Sequence, residues 1–382
     1  MAPRMRLLRE GFLVLLAVVF ASGVAVGQSQ ETASDVFAEV DAAAKQAMAD
    51  QQLVGLAVAV IQNGEVSHVQ GYGYQDREAE VPVTDKTMFR WASISKPVTA
   101  ILAMQLIHDG KMELQTDVRT LVPEFPQPSY GDQDVTITVG HLLCHQGGIV
   151  HYTNGRVVIT EAEYETEHPY EDVVLALDRF RESPLVNAPG EKFSYTTHGY
   201  MLLGAAVQRA GKQKFALQAK ERVFAPLGMN SMRPDYQWEH IDNRAVGYRR
   251  RRREIVVSTD TDVSWKLAGG GFISTVGDLA RFGAGLMTEK ILPQERWDEM
   301  WTAQETADGQ TTEYGLGFRV AQLGEHRIVG HSGSQEKTRT YLMIAPDAGF
   351  GVALMTNSEY ANLRPLADTI LQSLAKASAK HP

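Results

Sequence analysis

Residues 93–96 read Ser-Ile-Ser-Lys and open an apolar stretch with helical spacing that continues to residue 109. A serine and a lysine three positions apart at the start of a helix share one face, so hydroxyl and amine can touch. Pro97 fits only the first turn of a helix, which places the helix start close to Ser93. Backbone N–H groups are free in that turn and suit a negatively charged oxygen. The stretch therefore predicts a serine nucleophile with a lysine partner.

The spacing of this pair is not unique in the chain. It recurs at residues 334–337 and 373–376. Ser373 lies in an amphipathic pattern near the C-terminus, which indicates an exposed helix. Ser334 follows His331-Ser332-Gly333 in a stretch with strand or turn character. Only Ser93 has the setting of a helix start.

The N-terminus has the form of a secretory signal peptide. Arg4, Arg6 and Arg9 precede an apolar run over residues 11–26, and small residues follow at 25–27. We therefore expect residues 1–27 to be a leader and the protein to be periplasmic or secreted. The alternative is an uncleaved leader that anchors the protein in a membrane. After cleavage, no stable membrane insertion is expected.

Charge and cysteine content exclude some classes of function. The 382-residue chain carries a net charge of −9, which argues against general nucleic-acid binding. Cys144 is the only cysteine in the sequence, so the protein folds without intramolecular disulfides. The oligomeric state is not readable from these features.

Strand patterns at both ends of the chain enclose a largely helical middle. Residues 28–382 are expected to form one hydrolase domain, with an α/β part over 28–92 and 265–382 and a helical part over 93–264. The α/β part is expected to hold an antiparallel sheet built from both chain ends and flanked by helices. The predicted strands are 53–62, 66–74, 314–321, 326–329, 338–344 and 351–356, and the outer helices are 34–50 and 362–376.

Three motifs occur in a fixed order and carry a resemblance to a known family. They are the Ser93–Lys96 stretch, Tyr-Thr-Thr at 195–197 and His-Ser-Gly-Ser at 331–334. Together with matching segments around residues 142–149, 224–229 and 271–280, they resemble the serine β-lactamase-like superfamily. That superfamily includes class C β-lactamases, D-alanyl-D-alanine carboxypeptidases and esterases. The motifs are most similar to the mitochondrial-type serine β-lactamase-like proteins, which are peptidase-like. The resemblance implies a β-lactamase/transpeptidase-like α/β fold.

The resemblance also assigns roles to individual residues. Ser93 would be the acylated nucleophile, and Lys96 and Tyr195 would share the proton transfers. His331 would orient Tyr195 or a substrate carboxylate, next to Ser332 and Gly333. The N–H groups of Ser93 and Ser334 would form the oxyanion hole. Neither a cofactor nor a metal is implied.

One position departs from the superfamily pattern. The third residue of the middle motif is usually asparagine, which contacts the substrate amide, whereas this chain has Thr197. A threonine hydroxyl is shorter and offers different hydrogen bonding. We therefore expect a peptidase or esterase acting on an amide or ester substrate. A β-lactamase or D-Ala-D-Ala carboxypeptidase is the alternative, and a non-catalytic binding or scaffold protein is a second alternative from another class.

Two further clusters have alternative interpretations. His141, Cys144, His145 and His151 could be drawn as a metal site, although the glutamate of a zinc-protease motif is missing beside His141. We expect His145 to support the fold instead. The five consecutive arginines at 249–253 indicate a solvated loop or hairpin, with an anionic polymer or membrane surface as the functional alternative.

Overall fold

The computed structural model describes residues 23–160 and 162–379. The predicted leader lies mostly outside this range, and its residues 23–27 begin the first helix. The helices are α1 Gly23–Gln51, α2 Ser95–His108, α3 Val118–Leu121, α4 Val139–Leu143, α5 Thr197–Gly211, α6 Phe215–Ala219, α7 Leu267–Gly270, α8 Val276–Gly285, α9 Gln294–Met300 and α10 Arg364–Ala379. The longer strands are β1 Gly55–Gln62, β2 Glu65–Asp76, β8 Tyr248–Arg251, β9 Glu254–Val257, β11 Arg319–Leu323, β12 His326–Gln335, β13 Thr338–Ala345 and β14 Phe350–Thr356. The short strands are β3 Val81–Pro82, β4 Phe89–Arg90, β5 Ser129–Tyr130, β6 Gln133–Asp134, β7 Arg233–Pro234 and β10 Phe272–Ser274.

The main sheet is assembled from both ends of the chain, as the sequence predicted. Its seven strands run in the order β11-β12-β13-β14-β1-β2-β3, and all of its neighbouring pairs are antiparallel. The central contact joins β1 to β14, two strands almost 300 residues apart in sequence. Because β1 pairs directly with β14, the residues between β3 and β11 form an insertion between the two halves of the sheet.

Strand β1 shows why the sheet is covered on both faces. Ala57, Ala59 and Ile61 enter the large core that the sheet shares with α2, α5 and α8. Leu56, Val58 and Val60 enter a second core beneath α1 and α10. Side chains alternate between the two faces of a strand, so an unbroken apolar run requires both faces to be covered. The result is a three-layer α/β/α arrangement.

The inserted region contains the two helices that carry the site. Helix α2 packs against α5 and α7, and its residues 95–106 are all buried. Long loops and 3₁₀ turns occupy much of residues 144–196, so this part is less regular than a helical subdomain. The arginine run forms the exposed hairpin β8–β9, in agreement with the sequence prediction.

Three sequence-based boundaries differ clearly from the structure. The strand expected at 326–329 extends to Gln335 as β12. Helix α1 begins at Gly23 rather than at residue 34. The strand expected at 314–321 begins only at Arg319, because the chain turns back on itself just before it. Gly317 adopts a positive φ of 91°, and the Gly315 N–H donates to the Phe318 carbonyl. The prediction of a strand through residues 314–318 is therefore wrong.

Across residues 23–160 and 162–379, the structure contains no helix that is both long and apolar enough to cross a membrane.

Candidate active site

The backbone just before α2 presents Ser93 to the cleft. Residues Ala92–Ile94 form one 3₁₀ turn that continues directly into α2. Ala92 adopts a φ of +49°, a left-handed conformation that is costly for a residue with a Cβ. Strained turns of this kind are held by their surroundings, here by β12 and β13. The helix start predicted near Ser93 is therefore confirmed, and Ser93 sits in a turn with free N–H groups.

Lys96 lies fully buried beneath Ser93. Its Nζ atom is 3.1 Å from the Ser93 Oγ, 3.1 Å from the Thr197 Oγ1 and 2.8 Å from the Gly269 carbonyl oxygen. A neutral amine has two N–H donors and one lone pair. The Gly269 carbonyl can only accept, and Thr197 can accept the second N–H. The lone pair is then left for the hydrogen of the Ser93 hydroxyl.

The surroundings of Lys96 favour the neutral amine. Burial lowers the pKa of Lys96 well below its ordinary value of 10.5, and the nearby Lys266 ammonium lowers it further. A lysine that acts as a base near neutral pH needs a pKa about 3 units below the ordinary value, which burial or a neighbouring cation can provide. The structure supplies both. Burial instead raises the pKa of the Tyr195 phenol, an effect that contact with Ser93 only partly offsets. Lys96 is therefore the stronger candidate for the general base.

The backbone at the start of α5, directly after Tyr195, is fixed by the imidazoles of His145, which is buried, and His151, which is partly buried. The His145 Nδ1 accepts the Thr196 N–H, and the His151 Nδ1 accepts the Thr197 N–H, each at 3.2 Å. An accepting Nδ1 places the hydrogen on Nε2 in the neutral ring. The Tyr195 ring lies 4.3 Å from the His145 ring and 4.9 Å from the Lys96 Nζ. His145 thus holds the local fold around Tyr195, in line with the expectation that it supports the fold.

The oxyanion position depends on one open edge of β12. Strand β11 covers residues 326–330 only, so residues 331–335 have no strand on that side. The Val320 N–H donates to the Glu313 carbonyl, away from β12, so Arg319 and Gly330 form the hydrogen-bonded pair. N–H direction alternates along a strand. The N–H of Ser334 therefore points to the open edge, and its role as an oxyanion donor stays a prediction.

His331 lies in the cleft wall but makes contacts other than the expected one. Its Nδ1 is 2.6 Å from the Ser332 carbonyl oxygen and its Nε2 is 3.1 Å from the Tyr314 hydroxyl. Because a carbonyl only accepts, Nδ1 carries the hydrogen. Burial lowers the pKa of His331 to about 3, so the ring is neutral near pH 7. Its centroid lies 6.2 Å from that of Tyr195, and its role toward Tyr195 or a carboxylate stays a prediction.

These groups line one cavity of about 610 Å³. It contains six of the predicted site residues, namely Ser93, Tyr195, Thr197, His331, Ser332 and Ser334. Lys96 and Gly333 lie in its buried wall. The sequence analysis missed several lining residues: His151, Tyr152, Trp265, Lys266, Gly269 and Arg319. No motif in the sequence pointed to Lys266, and His151 was considered only as a metal ligand.

The four residues of the alternative metal site each make a different contact. The His141 Nδ1 accepts the Thr138 N–H at the start of α4, and the Cys144 thiol points to the Gly140 carbonyl. Within the described residues, no group of three His, Cys, Asp or Glu side chains is arranged to hold a metal ion.

Buried neutral histidines predict acid sensitivity. Burial lowers the pKa of His331 to about 3 and those of His151 and His198 to about 4, from 6.5. Unfolding then takes up protons between pH 6.5 and about 4, so the stabilisation is complete above 6.5 and is lost as the pH falls. We expect Tm, measured from pH 7.5 to 4.5, to fall steadily. His198→Gln, which keeps a donor for the Val150 carbonyl, should flatten this slope.

The matched control is His240→Gln, because the His240 side chain is 89% exposed. It should leave the slope unchanged. Equal slopes for wild type and His198→Gln would contradict the assignment of a lowered pKa to His198.

Known proteins are similar to this chain in sequence. Residues 40–376 match the family described as Beta-lactamase. The human serine beta-lactamase-like protein LACTB, mitochondrial, is 30% identical over 377 residues, which cover 77% of this chain and 69% of the human protein. Esterase EstB of Burkholderia gladioli is 25% identical over 370 residues, or 87% of this chain and 93% of that enzyme.

A solved structure extends the likeness to three dimensions. The octameric penicillin-binding protein homologue from Pyrococcus abyssi superimposes with a TM-score of 0.75 at 26% identity, over 89% of this chain and 77% of that one. The predicted β-lactamase/transpeptidase-like fold is thereby confirmed. With its buried lysine beside a serine in a β-lactamase-type cleft, the chain belongs to the Beta-lactamase family and is a serine hydrolase of that fold.

Proposed function

We propose that the protein is an exported serine hydrolase that forms an acyl-enzyme on Ser93 with an ester or peptide-like substrate. The observation that carries this proposal is the buried Lys96 amine. Its remaining contacts leave the lone pair for the Ser93 hydroxyl at 3.1 Å. A serine hydroxyl is a weak nucleophile until a base removes its proton. The position of Lys96 beside Ser93 and its lowered pKa support this role.

The proposed reaction has two balanced halves. Ser93 Oγ bonds to the substrate carbonyl carbon while its proton moves to the Lys96 Nζ. The oxyanion is held by the N–H groups of Ser93 and Ser334, each contributing about 3 kcal/mol in the transition state. The C–O or C–N bond then breaks, and the leaving alcohol or amine receives the proton through Lys96 and Tyr195. Water then gives a proton to the same base and bonds to the acyl carbon. The bond from that carbon to the Ser93 Oγ breaks, the acid leaves, and Ser93 takes the proton back from Lys96.

Thr197 supports an ester or peptide substrate over a β-lactam. Its hydroxyl lies 3.1 Å from the Lys96 Nζ, so it belongs to the lysine's hydrogen-bond set. An asparagine at this place would reach further and could donate to a substrate carbonyl, which threonine does less well. A second cavity of about 460 Å³ adjoins the cleft, and Arg319 lines both. The two together offer room for an extended substrate.

Export remains a proposal based on the sequence. The charged start of residues 4–9 and the apolar run over 11–26 have the order of a signal peptide. N-terminal sequencing of the mature protein tests it: a start near Gln28 supports export with cleavage, and a retained leader supports a membrane anchor.

The deciding experiment is the intact mass of the protein after exposure to an activated acyl ester and, separately, to a penicillin. Wild type should gain the acyl mass from the ester, and Ser93→Ala should not. A long-lived or rapidly cleared penicillin adduct would favour the carboxypeptidase or β-lactamase alternative. If folded wild type gained no mass from either reagent and also failed to react with a serine-directed phosphonate, a non-catalytic scaffold would replace the proposal.

A further inference from the structure

The Thr197 hydroxyl contacts the buried base Lys96 but takes no part in the two half-reactions proposed above. Thr197 is the first residue of α5, and its Oγ1 lies 3.1 Å from the Lys96 Nζ. Lys96 is fully buried, whereas Thr197 lines the cavity of the cleft. Thr197 therefore joins the buried amine to the space from which water can reach an acyl group on Ser93.

The packing of the Thr197 methyl group holds the hydroxyl toward Lys96. The methyl lies against Gly269, where an added Cβ would approach the Thr197 Cγ2 to 2.7 Å. Because the χ1 angle of a β-branched side chain is stiff, fixing the methyl also fixes the hydroxyl. The backbone beside it is held by the bond from the Thr197 N–H to the His151 Nδ1. The Thr197 Oγ1 thus stays within reach of the Lys96 Nζ.

The start of α5 does not depend on this hydroxyl. The first turn of a helix is stabilised by the side chain of its N-cap residue, which here is Thr196. The Thr196 Oγ1 accepts the Gly199 N–H at 3.2 Å and donates to the Val150 carbonyl at 2.8 Å. The Thr197 hydroxyl instead has its partner in the catalytic base.

Acylation of Ser93 changes the hydrogen bonds that are open to Lys96. Within the part of the chain that the structure describes, its Nζ bonds to three oxygens, namely the Ser93 Oγ, the Thr197 Oγ1 and the Gly269 carbonyl oxygen. In an acyl-enzyme the Ser93 Oγ is an ester oxygen without a hydrogen, and a carbonyl oxygen only accepts. Of these three partners, Thr197 alone can then give a hydrogen to the lone pair of Lys96.

A hydroxyl can reverse its role in this way because it both donates and accepts. In the free enzyme the Thr197 Oγ1 accepts an N–H from Lys96. In the acyl-enzyme the same group can donate its hydrogen to the amine and accept a hydrogen from water in the cavity. The asparagine that is usual at this position in the superfamily has no hydroxyl hydrogen to pass on.

Resting on the proposed acyl-enzyme function, we infer that Thr197 is a catalytic residue that relays a proton from the hydrolytic water to Lys96. The water oxygen bonds to the acyl carbon while one of its hydrogens moves to the Thr197 Oγ1 and the Thr197 hydrogen moves to the Lys96 Nζ. The bond from the acyl carbon to the Ser93 Oγ then breaks, and Ser93 takes the proton from Lys96 over 3.1 Å. The acid leaves, and Thr197 and Lys96 end the step in their starting states.

Pre-steady-state kinetics with p-nitrophenyl butyrate separate the two halves of the reaction. The value of kcat/KM reports acylation, in which p-nitrophenolate departs as an anion. The decay of the butyryl mass on Ser93, followed by rapid quenching and intact-protein mass, reports release of the acid. Two variants bracket the hydroxyl: Thr197→Val removes it from a side chain of the same shape, and Thr197→Ser keeps it.

Thr197→Val should slow the decay of the acyl-enzyme about 100-fold, the low end of what a positioned proton-transfer group contributes. Its kcat/KM should fall less than about tenfold, because acylation loses only the hydrogen bond that Thr197 accepts from Lys96. The acyl mass should therefore accumulate during turnover. Thr197→Ser should restore most of the decay rate.

Thr99→Val is the matched control, because it removes another buried threonine hydroxyl close to the base. The Thr99 Oγ1 donates to the Ala268 carbonyl at 2.6 Å and so joins α2 to α7 beside Gly269. The variant should lose stability, and its acyl-enzyme should decay at a rate near that of wild type.

Three results would overturn the relay. An equal fall of kcat/KM and of the decay rate in folded Thr197→Val would show that Thr197 only holds Lys96 in place. An unchanged decay rate would show that water reaches the lysine without Thr197. Accumulation of the acyl mass in Tyr195→Phe but not in Thr197→Val would assign the relay to Tyr195.

Failure of the proposed function looks different from failure of the relay. In that case folded wild type would gain no butyryl mass from the ester, and the relay would be overturned together with the acyl-enzyme. An acyl mass that forms on wild type and clears equally fast in Thr197→Val would overturn the relay alone.

Discussion

Replacing Lys96 with methionine is expected to lower kcat/KM for an activated ester by about 10³-fold, within the range that a positioned general base contributes. The Ser93 hydroxyl would lose the amine that lies 3.1 Å from it, and the neighbouring Tyr195 phenol has a raised pKa, so it is a poor substitute. Initial rates on purified, folded protein measure the effect. Activity within tenfold of wild type would contradict the assignment of Lys96 as the base.

The same substitution tests the state of the buried amine through stability. In the folded protein the pKa of Lys96 is lowered, whereas in the unfolded chain it returns to about 10.5. Between these values unfolding takes up one proton, so wild-type stability rises with pH across that window. Methionine has no such proton, and its variant should have a smaller slope of unfolding free energy against pH. Denaturant titrations at several pH values give both slopes.

Lys45→Met is a matched control, since the Lys45 side chain is 67% exposed and pairs only with Asp41 on its own helix. It should keep both the activity and the wild-type slope. The pH dependence of wild-type activity gives a further check. The value of kcat/KM should fall as the pH drops through the pKa of Lys96 in the folded protein, because the base is then protonated.

Local patterns in the sequence were enough to predict the contact between Ser93 and Lys96 and to predict the sheet. Ser93 and Lys96 are three residues apart, so helical geometry alone brings them together, and Pro97 fixes where the helix begins. Alternating and unbroken apolar runs predicted most strands. Tyr195, Thr197 and Ser334 required the resemblance, since no local rule joins residues 93, 195 and 334.

The positions of the residues that shift the pKa of Lys96 or shape the turn at Ser93 depend on long-range packing. Lys266 reaches the cleft because α7 packs on α2, and its effect on Lys96 depends on burial, which no sequence window reports. The left-handed Ala92 is likewise invisible in sequence, because alanine does not favour that conformation. The turn at residues 315–318 was not predicted, because the apolar residues on both sides of Gly317 have the pattern of a strand.

Gly333→Ala is expected to lower kcat/KM about 100-fold by moving the nucleophile turn, although residue 333 has no side chain in the reaction. A Cβ at Gly333 would lie 2.1 Å from the Thr340 Oγ1 and 2.4 Å from the Trp91 carbonyl oxygen. Those two atoms form a 2.9 Å hydrogen bond that joins β13 to the residue before Ala92. The added methyl must displace that bond, and with it the turn that holds Ser93. Misplacement of a reacting group by about 1 Å costs about 10² in rate.

Stability and activity separate this mechanism from general damage to the sheet. The overpacked Gly333→Ala should also lose about 1–3 kcal/mol of unfolding free energy. Gly351→Ala, in β14, brings a Cβ within 2.7 Å of the Ile344 Cγ2 and 2.9 Å of the Met343 carbonyl oxygen, so it strains the same sheet away from the cleft. It should lose stability and keep its kcat/KM at a temperature where it is folded. If Gly333→Ala behaved like Gly351→Ala, the contact between β12 and the nucleophile turn would support only the fold. A loss of kcat/KM confined to Gly333→Ala would show that this contact sets the distance between Ser93 and the Ser334 N–H.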